Sequence, residues 1–133
     1  MDEAVIKYYR RLLNTRFEHA GSLENASIFL DAGGEKVLLC GNAGDFLELY
    51  INVVDDVIDD IKYLCFCDPT ANVAVEILCT LLKGKTIGEA AKVTEQSFHQ
   101  FIGTVGEELG KKAKGLLELF NRGITRYRAE QDQ

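Results

Sequence analysis

The sequence predicts an α+β fold with an N-terminal helix, a three-stranded antiparallel sheet, and later helices packed on one face of that sheet. Two observations carry this prediction. Apolar residues recur at helical spacing near both ends of the chain, whereas residues 26–66 alternate in the manner of strands. No repeat or low-complexity linker interrupts this order, so we expect a single domain over residues 1–133.

The composition is that of an ordinary globular protein, with 47% hydrophobic and 27% charged residues in a chain of 133. A net charge of −6 disfavours nucleic acid and anionic membrane as partners. No apolar run approaches the roughly 18 residues that a membrane span needs. Because the N-terminus also has no signal-peptide core, we expect a soluble, cytoplasmic protein.

The first helix is predicted over residues 3–17, where apolar side chains repeat on one face between basic residues. Strands are predicted over residues 27–30, 36–40, 46–54 and 58–67, with Asp55-Asp56 as the turn between the last two. From these segments we infer a sheet of three antiparallel strands. Whether one of the segments adds a further strand stays open.

A second helix is predicted after the sheet. Asp68 suits its N-cap, Pro69 its first position and residues 71–82 its apolar body, and Gly84 ends it.

The last third of the chain is predicted to be helical. Thr86 and Glu89 form a capping-box pattern that opens a short helix. Residues 94–129 read as one or two helices, with four glycines as candidate breaks: Gly103, Gly106, Gly110 and Gly115.

The four cysteines are Cys40, Cys65, Cys67 and Cys79, and nothing in the sequence indicates secretion, so we expect free thiols. Their spacing is not that of a zinc knuckle, which leaves metal binding, redox chemistry or core packing.

Cys67 is the best-placed candidate ligand, because it precedes a helix start whose dipole favours a thiolate. Asp68 is expected to be an N-cap, and it can also serve as a metal ligand because a carboxylate has two oxygens. Asp45 is either a site ligand or a turn cap. Cys65 shares a strand face with Cys67 and is either a ligand or a packed residue. Cys40 lies beside a glycine-containing loop that would let its thiol reach inward, and Cys79 is expected to be a buried helix residue.

The remaining polar groups are interpreted as surface features. His19 and His99 lie in polar contexts and are expected at the surface, the acidic residues 55–60 form a solvated hairpin tip, and Lys111 and Lys112 belong to a solvated basic helix face. No nucleophile–base pairing or phosphate-binding loop is present in the sequence, so direct catalysis is not expected.

Several short segments, spread from Val5 to about Tyr127, match one known family in order and spacing. They are Val5-Ile6 with Tyr9, Asn14, Gly21-Ser22-Leu23-Glu24-Asn25-Ala26, Gly44-Asp45, Ile58-Asp59-Asp60, and Lys83-Gly84-Lys85-Thr86 with Glu89-Ala90. The chain thereby resembles the U-type iron–sulfur cluster assembly scaffolds, the family of IscU and the N-terminal domain of NifU. That resemblance implies an IscU-like fold and a site of three cysteines and one aspartate that accepts iron and sulfide.

The chain departs from the family pattern at each cysteine. With Gly44-Asp45 in register the first cysteine position is Ala43, although a small insertion would pair Cys40 with it. The second position falls on Asp68, one residue past Cys67. The third has no counterpart, because no cysteine follows Cys79.

The resemblance therefore implies a divergent scaffold that binds iron or a labile cluster, most simply [2Fe–2S], through Cys40, Asp45, Cys67 and, less directly, Cys65. A cluster-free protein-interaction domain and a zinc-binding variant are the alternatives. Implied partners are a cysteine desulfurase and recipient apo-proteins, and a homodimer would let two protomers share a cluster. A chaperone contact is not implied, since residues 106–113 lack the Leu-Pro-Pro-Val-Lys motif.

Overall fold

The structure, a computed structural model, describes residues 3–32 and 45–132. The predicted strand at residues 36–40 lies outside the described residues. Within them the order is one helix, three strands and four helices: α1 Glu3–Thr15, β1 Ile28–Asp31, β2 Phe46–Val54, β3 Val57–Phe66, α2 Pro69–Leu82, α3 Ile87–Ala90, α4 Glu95–Ile102 and α5 Glu107–Gln131. This order confirms the predicted α+β architecture. No helix in these ranges is long and apolar enough to cross a membrane.

The three strands form an antiparallel sheet in the order β1-β2-β3. The predicted alternation of β2 is confirmed, because Leu47, Leu49 and Ile51 are buried and intervening side chains are not. Asp55 and Asp56 both have positive φ, 52° and 65°, as the two-residue hairpin turn between β2 and β3 requires.

A bulge interrupts the β2–β3 pairing and places two isoleucines in the core. Asn52 pairs with Asp60 but Val53 pairs with Ile58, so one residue of β3 is left over. The extra residue shifts the side-chain alternation, and as a result Ile58 and Ile61 are both fully buried despite their odd spacing. Beyond the bulge, the face that carries Ile61 points toward the helices, as the sequence predicted.

Helix α2 is the centre of the core. Asp68 caps it through a hydrogen bond from the Ala71 N–H at 2.8 Å, and Pro69 takes the first helical position, as predicted. Almost every side chain along it is buried, because α1, α4, α5 and β3 all pack around it. The helix ends before Gly84, whose N–H donates to the Ile58 carbonyl and ties the helix end to β3.

The helical third of the chain divides into three helices. The Thr86–Glu89 capping box is formed in both directions and starts α3. The break between α4 and α5 is at Gly103, whose φ of +86° favours glycine, and Gly106 caps α5. Gly110 and Gly115, two of the predicted breaks, instead lie inside α5 and are buried.

His19 is buried, which makes the prediction of a surface histidine wrong. Only 4% of it is exposed, and its Nδ1 lies 2.7 Å from Oε1 of Glu76, which is 1% exposed. The His19 N–H donates to the same oxygen at 3.2 Å. Because Glu76 is itself buried, this one acidic side chain of α2 requires a partner from elsewhere in the chain.

The segment after α1 that contains His19 is also hydrogen-bonded to the sheet. The Tyr63 N–H donates to the His19 carbonyl and the Gly21 N–H donates to the Tyr63 carbonyl, at 2.9 and 2.8 Å. This segment thereby covers the free edge of β3, where unpaired backbone groups would otherwise be exposed. Burial, and secondarily the Glu76 carboxylate, raises the pKa of Tyr63, so its hydroxyl stays protonated and donates to Asn72.

We predict that His19→Ala lowers the free energy of unfolding by roughly 3 kcal/mol, because it leaves a buried carboxylate without its partner. Urea denaturation followed by circular dichroism measures this loss. The matched control is His99→Ala, the only other histidine. Its side chain is only 12% exposed, so the surface prediction is wrong for it too, but its partner Glu95 is 48% exposed and the loss of this pair should cost less. Equal losses for the two variants would contradict the assignment.

Candidate metal-binding site at the strand ends

The ends of β2 and β3 bring a carboxylate and a thiol together. Phe46 pairs with Phe66, so Asp45, just before β2, and Cys67, just after β3, lie at the same end of the sheet. The Cys67 thiol donates to the Phe46 carbonyl with a sulfur–oxygen distance of 3.4 Å. By strand parity Asp45 and Cys67 both belong to the helix-covered face. Two predicted site residues, 22 positions apart in sequence, therefore lie at the same rim of the sheet.

Asp45 and Cys67 differ in their exposure to solvent. Only 6% of Asp45 is exposed, whereas Cys67 is half-buried and packs against the edge of the core. A partly exposed thiol beside a shielded carboxylate is accessible to an incoming ion from the solvent side.

Cys65 lies two residues earlier on the same face and pairs with Leu47. It is half-buried and packs against the core, as the packing interpretation predicted. Along an extended strand its Cβ is roughly 6–7 Å from that of Cys67. Cys65 and Cys67 are both reduced thiols.

Asp68 has two partners in the structure. Oδ1 accepts the Ala71 N–H at 2.8 Å, and Oδ2 lies 3.3 Å from Nζ of Lys112. The N-cap interpretation of Asp68 is thus confirmed. Lys112 was expected on a solvated helix face, and that expectation is wrong, since only 13% of its side chain is exposed.

The first turns of α5 form the wall of the site that faces α2. Glu108 accepts a hydrogen bond from the Thr70 hydroxyl at 3.3 Å, one turn before Lys112. Glu108 and Lys112 are four residues apart, so they share one face of α5 and both contact the start of α2. The i,i+4 spacing was visible in the sequence, but nothing local indicated which helix this face would meet.

Cys79 is remote from the strand ends. It is fully buried within α2, and burial together with the Glu76 carboxylate raises the pKa of its thiol. A neutral, solvent-free thiol is a packing group rather than a metal donor, which confirms its predicted role.

The donors brought together here suit iron or zinc chemically but do not form a complete cage. Thiolate and carboxylate oxygen are both accepted ligands of these ions. Across residues 3–32 and 45–132, no three histidine, cysteine or acidic side chains are grouped closely enough to hold a metal ion. Cys40, the fourth candidate donor, lies outside the described residues.

The architecture places the chain among iron–sulfur scaffold folds. It superimposes on a putative iron–sulfur cluster assembly scaffold protein for the SUF system from Fervidobacterium islandicum AW-1, with a TM-score of 0.54 and 19% identity over 98% of this chain and 82% of that one. It likewise matches the N-terminal part of a nitrogen-fixing NifU-like protein from Brucella abortus, with a TM-score of 0.53 and 13% identity over 98% and 89% of the two chains.

The chain belongs to the NifU-like N-terminal domain family, whose model matches residues 4–133. Two relatives from Archaeoglobus fulgidus, the iron–sulfur cluster assembly scaffold proteins IscU 1 and IscU 2, are each 28% identical over 111 residues. The match covers 84% of this chain and 72% of either relative. The family resemblance drawn from the sequence is thereby confirmed.

We predict that iodoacetamide modifies Cys65 and Cys67 in the native protein well before Cys79, because burial and a raised pKa protect the last thiol. Peptide mass spectrometry after timed quenching measures the three rates. In denaturant the rates should converge, which serves as the control. Native-state modification of Cys79 at the rate of Cys67 would show that the helix core is not closed as described.

Proposed function

We propose that the chain is an iron–sulfur cluster assembly scaffold that accepts iron and sulfide at the strand ends and passes them to recipient apo-proteins. The observation that carries this proposal is that the β2–β3 register puts Cys67 and Asp45 at the same end of the sheet. Family membership supports the same activity, since the Archaeoglobus relatives are assembly scaffolds. Iron and sulfide are cargo here, to be held and then released.

Cys67 is the proposed principal donor. It stands two residues before the start of α2, a 14-residue helix whose N-terminal dipole favours negative charge nearby. Thiolate is the form that binds iron, so this position favours the reactive state. Asp45 supplies a carboxylate on the same face, and Cys65 is the adjacent thiol that a bend at the strand end would bring within reach.

Cys40 is proposed as a further thiol donor. It lies five residues before Asp45, and a chain of that length spans at most about 18 Å, so its reach includes the strand ends. A [2Fe–2S] cluster normally takes four ligands. The three proposed thiols and the Asp45 carboxylate add up to four ligands. If one of them does not bind, a second protomer could supply the fourth. Cargo held this way should be labile, which suits transfer.

The proposed partners follow from this role. A cysteine desulfurase would supply sulfur, and recipient apo-proteins would take the finished cluster. A dedicated chaperone contact is not proposed, because the Leu-Pro-Pro-Val-Lys motif is absent from the chain.

A cluster-free interaction domain is the second candidate function. Two features motivate it: the chain has no counterpart of the third family cysteine, and the Lys112 ammonium lies beside Asp68. A zinc-binding variant is a related candidate, since zinc accepts both thiolate and carboxylate at about 2.0–2.3 Å.

The scaffold proposal is tested by anaerobic reconstitution with ferrous iron and sulfide, followed by visible absorption. We expect a sulfide-to-iron charge-transfer band in the wild type that Cys67→Ser largely removes. Cys79→Ala is the matched control, because its thiol lies in the core away from the site, and it should keep the band. If the wild type shows no band above background, the scaffold proposal is excluded and the cluster-free interaction domain remains. Metal analysis of the purified protein would decide whether zinc is bound.

Asp45 is tested separately through ferrous affinity. Asp45→Asn should weaken Fe²⁺ binding by at least about tenfold, because it removes a charged donor while keeping the side-chain shape. Anaerobic titration against a competing chelator measures the affinity. Asp55→Asn, at the exposed hairpin turn on the far end of the same strand, is the control and should change nothing. Identical affinities for both variants would exclude Asp45 as a donor.

A further inference from the structure

The carboxylate of Asp68 is engaged on both of its oxygens. Oδ1 accepts the Ala71 N–H at 2.8 Å, and Oδ2 pairs with Nζ of Lys112 at 3.3 Å. Asp68 directly follows Cys67, so it is the acidic side chain adjacent in sequence to the proposed principal donor. If a metal ion bound at the Cys67 thiol also reached Asp68, it would compete with Lys112 for the outer oxygen of this carboxylate.

Lys112 differs sharply from its neighbour Lys111 on the same helix. The side chain of Lys112 is 13% exposed, whereas that of Lys111 is 69% exposed and pairs with Glu107 in its own helix. A partly buried ion pair is screened less by solvent and salt than an exposed one. One turn before Lys112, the bond between Glu108 and Thr70 fixes α5 against the start of α2. The packing of two helices therefore sets the position of the ammonium.

We propose that Lys112 is a latch that holds Asp68 out of the coordination sphere of the cargo metal. The proposal deepens the scaffold function and rests on it. With Lys112 in place, Asp68 serves as a helix cap and the site is limited to its thiols and Asp45. The ammonium occupies the oxygen that a metal would use, and its charge also repels an incoming cation. Lys112 is thus a positioning residue that keeps the cargo weakly held.

The test is an anaerobic titration of the full-length protein with Co²⁺, followed by thiolate-to-cobalt absorption. Lys112→Met should tighten Co²⁺ binding about tenfold, because it frees one carboxylate oxygen and removes a nearby positive charge. The double variant Asp68→Asn with Lys112→Met should lose that gain, while asparagine still caps α2. Lys112→Arg, which keeps the charge, and Lys111→Met, which changes the exposed neighbour, should both behave as wild type.

The outcomes separate this inference from the function on which it rests. A Lys112→Met affinity within twofold of wild type, or a gain that persists in the double variant, overturns the latch. If Cys67→Ser leaves the wild-type titration unchanged, the scaffold function itself fails. Thermal unfolding followed by circular dichroism verifies that each variant is folded, and Lys112→Arg gives a second reading of the charge should Lys112→Met unfold.

Discussion

The burial of most of α2 is the constraint on which the rest of the structure depends. A polar group that such a helix carries into the core must find its partner on another element. Glu76, at its middle, is met by both the side chain and the backbone N–H of His19. That contact fixes the segment after α1, which in turn hydrogen-bonds to β3 at Tyr63. One buried acidic side chain thereby ties three regions of the chain together, and the end of β3 is held in place relative to the start of α2.

Strand register is the second constraint on the site. Because side chains alternate, a slip of one residue between β2 and β3 would send Cys67 to the opposite face. Two features prevent the slip: the two-residue turn at Asp55-Asp56 sets the pairing at one end, and the buried Leu47 and Leu49 require the present face. The bulge opposite Asn52 and Val53 absorbs one residue of β3, so the predicted parity holds only from Asp60 onward. The Cys67 thiol and the Asp45 carboxylate lie at the same end of the sheet because the turn at the opposite end fixes the pairing of β2 with β3.

Sequence patterns predicted the parts of the fold that depend on nearby residues. The face of β2, the Asp68 cap, the Thr86–Glu89 box and the burial of Cys79 all follow from local spacing. The predictions that failed concern side chains whose partners are distant in sequence. His19 was expected at the surface because its neighbours are polar, but its partner is 57 residues away. Lys112 was placed on a solvated face for the same reason, and its partner is on another helix. The convergence of Asp45 and Cys67 followed from strand pairing, whereas the position of Cys40 relative to them remains a prediction.

Under the scaffold function proposed above, the start of α2 must satisfy two demands that conflict. Anchoring the helix requires the Asp68 carboxylate to accept a backbone N–H and to meet α5, whereas binding a metal requires free anionic oxygen next to the Cys67 thiol. In this chain the carboxylate stands one residue after the thiol, so structure and cargo compete for the same atoms. Because Asp68 is bonded to the helix and to Lys112, the proposed site binds metal more weakly than it would with a further oxygen ligand. Weak binding suits a scaffold, since a scaffold must release its metal to another protein.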